Sequence, residues 1–250
     1  MILRKECIEI GLQCLKLAKG NAMTKHTVLI TGANRGLGLE FAKQYALDGW
    51  YVLACGRTPS LALRQLAEAH SDIELFDLDV GDFAAIDLLA ARLHQQAIDV
   101  LICNAGVYPP SHFGTVDYDA WAHAFKVNCM ATLKMAEAFA PHISRSQQRK
   151  LVTITSKMGS IDDNTSGSEY IYRTSKTALN MVMKSLSIDL KPYGIAVAAL
   201  HPGWVRTDMG GPHGLIDPPQ SVAGLRRVIA NLELGNTGRF IAYDGKEIAW

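Results

Sequence analysis

The sequence predicts an α/β fold: one domain built on a doubly wound, mostly parallel sheet. Two observations carry this expectation. Short apolar runs alternate with longer stretches of helical period, which is the pattern of β-α-β units. The runs are apolar on both faces, as strands of a parallel sheet covered on both sides must be. Right-handed crossovers then wind helices onto both faces of the sheet.

The expected strands are His26–Thr31, Trp50–Cys55, Ile73–Phe76, Val100–Cys103, Leu151–Thr155 and Ile195–Leu200, with a weaker one at Arg239–Ala242. The expected helices are Leu37–Asp48, Ser60–His70, Phe83–Gln96, Tyr118–Ile143, Tyr172–Lys191 and Pro219–Leu232. No linker, repeat or low-complexity segment divides them, so residues 24–250 are expected to form one domain. Residues 1–23 are set apart. Arg4 and Lys5 precede Ile8, Ile10, Leu12, Leu15 and Leu17, but Glu9, Lys16 and Lys19 interrupt. That is too charged for a secretory signal. The expectation is an accessory segment without a catalytic role, or sequence upstream of a natural start at Met23.

Composition narrows the function. Twenty-five basic residues oppose 24 acidic ones, a formal charge of +1, which offers no electrostatic case for a nucleic-acid partner. No 18-residue apolar stretch exists, so no membrane span is expected. Cys7, Cys14, Cys55, Cys103 and Cys129 are odd in number and contain no C-x-x-C, which argues against a disulfide framework or a zinc site. Three of them adjoin apolar runs and suit buried free thiols in a reducing, cytoplasmic setting. His112, His142, His201 and His213 lack metal-ligand spacing and read as surface or capping residues, so no metal is expected.

The first strand runs into Thr31-Gly32-Ala33-Asn34-Arg35-Gly36-Leu37-Gly38, and a helix follows. Gly32 permits the tight turn, Gly36 lets the backbone approach a pyrophosphate, and Gly38 lets the new helix pack closely. Amides at the helix N-terminus then face the phosphate charge. The strand–turn–helix context is what makes such a glycine triplet informative.

Tyr172-Arg173-Thr174-Ser175-Lys176 places a phenol and an ammonium four residues apart, on one helix face. A nearby cation is expected to lower the tyrosine pKa toward neutrality, so that the phenol can exchange a proton with a carbonyl or alcohol oxygen. The fifth strand leads into Ser156, at the carboxyl edge where open parallel sheets bind ligands. The fourth leads into Asn104-Ala105-Gly106, small enough for a cofactor to lie against the backbone. Asn128 stands inside a helical stretch, where asparagine is unfavourable unless its side chain has work there.

Across nearly all of residues 26–209 these segments resemble the short-chain dehydrogenase/reductase family, with its Rossmann-like fold. The glycine loop at 31–38, N-A-G at 104–106, the tetrad Asn128, Ser156, Tyr172, Lys176, and His201-Pro202-Gly203 carry the resemblance. Within the family, Ile161–Gly167, His201–Gly211 and Asp244–Glu247 look most like the C-factor and sniffer-type carbonyl reductases. One departure stands out. Ser156 and Tyr172 are 16 positions apart, slightly more than usual, with the extra residues at Ser166–Ser168.

The resemblance implies roles. Tyr172 is the general acid/base, and Ser156 orients and polarises the substrate oxygen. Lys176 lowers the Tyr172 pKa and holds the nicotinamide ribose. Asn128 anchors a water linking Lys176 to solvent. Thr207 holds the nicotinamide carboxamide, with Pro202, Gly203 and Val205 beside it. Asp79 contacts the adenine amino group and Val80 covers its ring. It also implies a small-molecule carbonyl substrate and a homodimer or homotetramer paired through the long central helices.

The second strand leads into Gly56-Arg57-Thr58, with no acid to hold both ribose hydroxyls. Arg57 or Arg35 can pair with a 2′-phosphate, so the expected cofactor is NADP(H). Gly56→Asp is then expected to push preference toward NADH. Tyr108, Phe113, Met158, Tyr170, Trp204 and Met209 are candidates to line a substrate pocket, or else core. The expected function is hydride transfer between NADP(H) and an aldehyde or ketone. The alternative is a catalytically weak nucleotide-binding regulator or signalling protein on the same fold.

Overall fold

Seven strands pair in one sheet in the computed structural model, which describes residues 25–250. They are β1 (Thr27–Thr31), β2 (Tyr51–Gly56), β3 (Ile73–Asp77), β4 (Val100–Cys103), β5 (Lys150–Ile154), β6 (Ala196–His201) and β7 (Arg239–Ala242). Every pairing is parallel, and the order is β3-β2-β1-β4-β5-β6-β7. The expectation for residues 1–23 lies outside the described residues.

Among the described residues, seven α-helices cover the sheet. They are α1 (Gly36–Leu47), α2 (Leu61–Ala69), α3 (Phe83–Arg92), α4 (Tyr118–Phe125), α5 (Ala131–Ser144), α6 (Tyr170–Asp189) and α7 (Pro218–Ala230). Alternate strand residues feed two cores. Val28, Ile30, Val52, Ala54 and Ile102 pack with Phe41 of α1, Leu63 of α2 and Leu225 of α7. Leu29, Leu53, Leu101 and Leu151 pack with Ile86 of α3, Phe139 of α5 and Met183 of α6. Burial on both faces is why the strands read as continuous apolar runs.

Chain progression reverses at β1. From there β2 and β3 lie on one side, β4 to β7 on the other. The carboxyl ends of β1 and β4 therefore flank a switch-point crevice, where ligands bind in open α/β sheets. Thr31, Cys103 and Ile154 end their strands along that edge.

Two boundaries differ informatively from the sequence reading. The expected helix Tyr118–Ile143 is broken by a π-helical turn at Lys126–Met130. The backbone on either side stays αR, so a helical reading of the segment runs straight through the widened turn. β5 begins at Lys150, one residue before the apolar run. This lysine is buried, and its Nζ donates to the Ile229 and Ala230 carbonyls at the end of α7, both at 2.8 Å. Cys55, Cys103 and Cys129 are buried free thiols. Among the described residues, no helix is long and apolar enough to cross a membrane.

Candidate active site

The glycine loop is tied to β4 by side chains as well as by steric fit. Thr31 Oγ1 accepts from Asn104 N at 3.0 Å and Ala105 N at 3.2 Å. Asn104 Nδ2 donates back to the Thr31 and Gly32 carbonyls, at 3.0 and 3.1 Å. Gly32 has φ +68, and a Cβ there would stand 2.9 Å from Ala105 Cα. A Cβ on Gly38 would strike the Gly32 carbonyl oxygen and the Asn104 amide. So Gly38 packs α1 against the loop itself, more than against the sheet. Asn104, expected beside the cofactor, is a clamp between the two strand ends. Leu37, the second residue of α1, is half-buried.

Asn34 joins this loop to the next. Its Oδ1 accepts from Ser60 N at 3.0 Å and its carbonyl from Ser60 Oγ at 2.7 Å. Ser60 in turn caps α2. Arg57 is exposed just past β2. Asp79 is exposed and closes a turn, its Oδ1 accepting from Gly81 N at 2.8 Å, while Val80 beside it is buried. Arg35 is already paired: its Nη1 meets Asp208 Oδ2 at 2.7 Å.

Ser156 stands two residues past β5. Its Oγ accepts from Met158 N at 3.2 Å, capping a short 3₁₀ turn at Lys157–Gly159. Tyr172 and Lys176 follow one another by one turn of α6, and both are buried. Lys176 Nζ donates to the Ile154 carbonyl at 2.9 Å and lies 5.8 Å from the centroid of the Tyr172 ring. The ring of Tyr108 packs on that of Tyr172, with centroids 4.2 Å apart. Gly106 leaves the wall before these groups open: a Cβ there would be 3.2 Å from Asn128 Oδ1 and 3.6 Å from Lys176 Nζ. The Asn104-Ala105-Gly106 segment thus borders the site through its backbone.

The expected pKa of Tyr172 is overturned within this arrangement. Burial pushes the phenol up to about 12, with the Tyr108 phenol adding to the rise. The Ser156 hydroxyl pulls the other way but does not win. Lys176 is itself depressed to about 8 by burial. Desolvation disfavours both charged forms, and the ammonium is aimed at a carbonyl instead of at the phenol.

Asn128 sits within the π turn, buried. Its Oδ1 accepts from Val107 N at 2.8 Å. Its Nδ2 donates to the Val107 carbonyl and to Ser175 Oγ, both at 2.9 Å. The carboxamide therefore clamps the strand-four loop to α6. The extra residues before α6 are accommodated by left-handed backbone at Gly167, Ser168 and Glu169, with φ of 66, 57 and 52. Ser111 holds this bend, its carbonyl accepting from Glu169 N at 2.8 Å and its Oγ from Ile171 N at 3.0 Å. Nothing in the sequence pattern marked Ser111.

A segment after β6 caps the crevice. The Pro202 carbonyl accepts from Ser221 Oγ at 2.6 Å, and Gly203 carries the chain past Ile216 and Tyr243. Val205 is buried and bridges to Ile216. Arg206 Nε meets Asp217 Oδ1 at 2.6 Å. Thr207 accepts from Gly210 N at 3.1 Å and packs its methyl toward Gly36. Tyr108, Phe113, Tyr170, Trp204 and Met209 are exposed, not core, and Met158 is half-buried. Two histidines correct the surface reading. His142 is buried against Phe139. His201 is half-buried, its Nδ1 accepts from Lys157 N at 3.1 Å, and burial with the Lys157 charge holds its pKa near 4. Neither belongs to a metal cluster among the described residues.

Residues 26–214 match the family model described as short chain dehydrogenase. The C-signal of Myxococcus xanthus is 45% identical over 154 residues, which is 61% of this chain and 93% of that protein. Carbonyl reductase Sniffer of D. melanogaster is 36% identical with a TM-score of 0.85, over 90% of this chain and 100% of that one. The NADPH-bound carbonyl reductase from chicken fatty liver is 32% identical with a TM-score of 0.85, over 90% of this chain and 99% of that one.

Proposed function

The chain belongs to the short-chain dehydrogenase family, and on that premise we propose that it is an NADP(H)-dependent reductase of aldehydes or ketones. The observation that carries this reading is the position of Tyr172 and Ser156 together at the carboxyl edge of the parallel sheet, with Lys176 one turn beyond. The cradle fits a dinucleotide. Side chains at Gly36 or Gly106 would stand before Thr207 and Lys176, whereas Gly32 and Gly38 leave no room for one against Ala105, Asn104 and the loop's own backbone.

Bound NADPH supplies the hydride. Ser156 Oγ donates to the substrate oxygen and holds it against the phenol. Tyr172 Oη gives its proton to that oxygen as the carbonyl carbon is reduced; a phenol kept protonated by burial suits this direction. Lys176 holds the nicotinamide ribose. Asn128 positions Lys176's helix through Ser175. Leu37 and its neighbours at the start of α1 offer amides to the pyrophosphate. Pro202, Gly203, Val205 and Thr207 border the nicotinamide, and Asp79 and Val80 the adenine. Arg57 and Arg35 take the 2′-phosphate, a choice of cofactor that the NADPH-bound relative from chicken fatty liver supports.

The experiment is NADPH oxidation by the purified protein across a panel of aldehydes and ketones. Steady turnover with some of them is expected. Tight cofactor binding without turnover on any would overturn the reading and favour the nucleotide-binding regulator.

A further inference from the structure

We propose that Asp208 tunes cofactor selectivity by occupying Arg35, lowering affinity for the 2′-phosphorylated cofactor relative to NADH. The inference rests on the reading of Arg35 as a 2′-phosphate ligand.

The pair joins two segments 173 residues apart, the glycine loop and the cap after β6. Arg35 is the N-cap residue of α1, and its side chain makes no capping bond. Among the described residues, its guanidinium bonds Asp208. The carboxylate is presented by a segment with internal ties. Val205 bridges to Ile216, Arg206 Nη1 donates to the Gly214 carbonyl at 2.6 Å, and Gly211 N donates to the Thr207 carbonyl at 2.8 Å. The two residues lie at one cleft of about 680 Å³ between α1, α2 and the cap, whose other charged groups are Glu40, Lys43 and Arg206.

A phosphate arriving at Arg35 must either displace the carboxylate or share the guanidinium with it. Either way a negative neighbour stands within a few ångströms of a dianion. NADH carries no group there and does not meet this cost. The side chains are 70% and 71% exposed, so water and salt screen the effect, and its size is modest.

The test is a double-mutant cycle. Dissociation constants for NADPH and NADH are measured by nucleotide fluorescence on the full chain, on Asp208→Asn, on Arg35→Gln and on the double variant, at low and at moderate salt. Asparagine keeps the shape, and its site is exposed, so folding is retained. Asp208→Asn is expected to tighten NADPH by about two- to fivefold at low salt and to move NADH far less. In the Arg35→Gln background the gain should vanish. Weaker NADPH binding in Asp208→Asn, or an equal change for both nucleotides, overturns the proposal while Arg35→Gln still costs NADPH affinity. If Arg35→Gln leaves the NADPH-to-NADH ratio unchanged, the phosphate reading of Arg35 fails, and the proposal fails with it.

Discussion

A Cβ on Gly56 would stand 2.5 Å from Nδ2 of Asn34. The asparagine cannot simply swing aside, because its Oδ1 accepts from Ser60 N and its carbonyl from Ser60 Oγ. The end of β2 is thus shaped by the glycine loop as well as by any need for or against an acid. Gly56→Asp, expected from the sequence to favour NADH, should instead displace Asn34 and loosen the loop. Both nucleotides should bind more weakly, and Gly56→Ala should already do so, at a stability cost of about 1–3 kcal/mol. Thermal unfolding with both dissociation constants checks this. A clean switch to NADH in Gly56→Asp would show that the loop absorbs the clash.

Arg57 offers the less disruptive probe of cofactor choice, because it is exposed and its truncation removes no packing. A charge-assisted hydrogen bond contributes about 1.5–3 kcal/mol. Arg57→Ala should therefore lower kcat/KM for NADPH by about tenfold or more and leave NADH nearly unchanged. Equal losses with both cofactors would remove Arg57 from the phosphate site.

Tyr172→Phe keeps the ring against Tyr108 and removes the proton. Turnover should fall by about 10²–10⁴-fold while NADPH affinity stays near normal. Near-normal turnover would mean that another group protonates the substrate.

The pH dependence should follow Lys176, not Tyr172. With the phenol pushed up to about 12, it stays protonated through the neutral and mildly alkaline range. Lys176, depressed to about 8, loses its charge as the pH rises through that value. The ammonium hydrogen bond to Ile154 weakens and its charge beside the ribose disappears. The pH profile of kcat/KM for reduction should therefore decline above about pH 8, since this parameter reports the free enzyme. A profile flat to pH 10 would contradict the assignment.

Removing the Asn128 carboxamide should act on the fold as much as on turnover. Asn128→Ala leaves the half-buried Val107 N–H and carbonyl, and the buried Ser175 hydroxyl, without the carboxamide that bonds them. An unmet buried group costs about 1–3 kcal/mol. Thermal denaturation should show the loss, and activity should fall with it. A variant with unchanged stability and low activity would point to the proton-supply role instead.

The alternation of strands and helices, the glycine loop, and the Tyr172–Lys176 spacing are local facts, and the sequence by itself determined them. Each depends on residues within one element or one turn, where hydrophobic period and backbone sterics act directly. Burial of both sheet faces made even the parallel topology legible. The roles of individual side chains depended on neighbours far along the chain. Asn104 is a clamp because β4 lies beside β1, and Lys176 reaches Ile154 because α6 packs on β6, the neighbour of β5 in the sheet. The Tyr172 pKa rises because the fold buries the phenol beneath Tyr108, against the trend a helical neighbour alone suggests. Arg35 meets Asp208 only because the cap after β6 returns to the glycine loop. Register and packing between distant segments set these contacts, and no spacing within either segment encodes them.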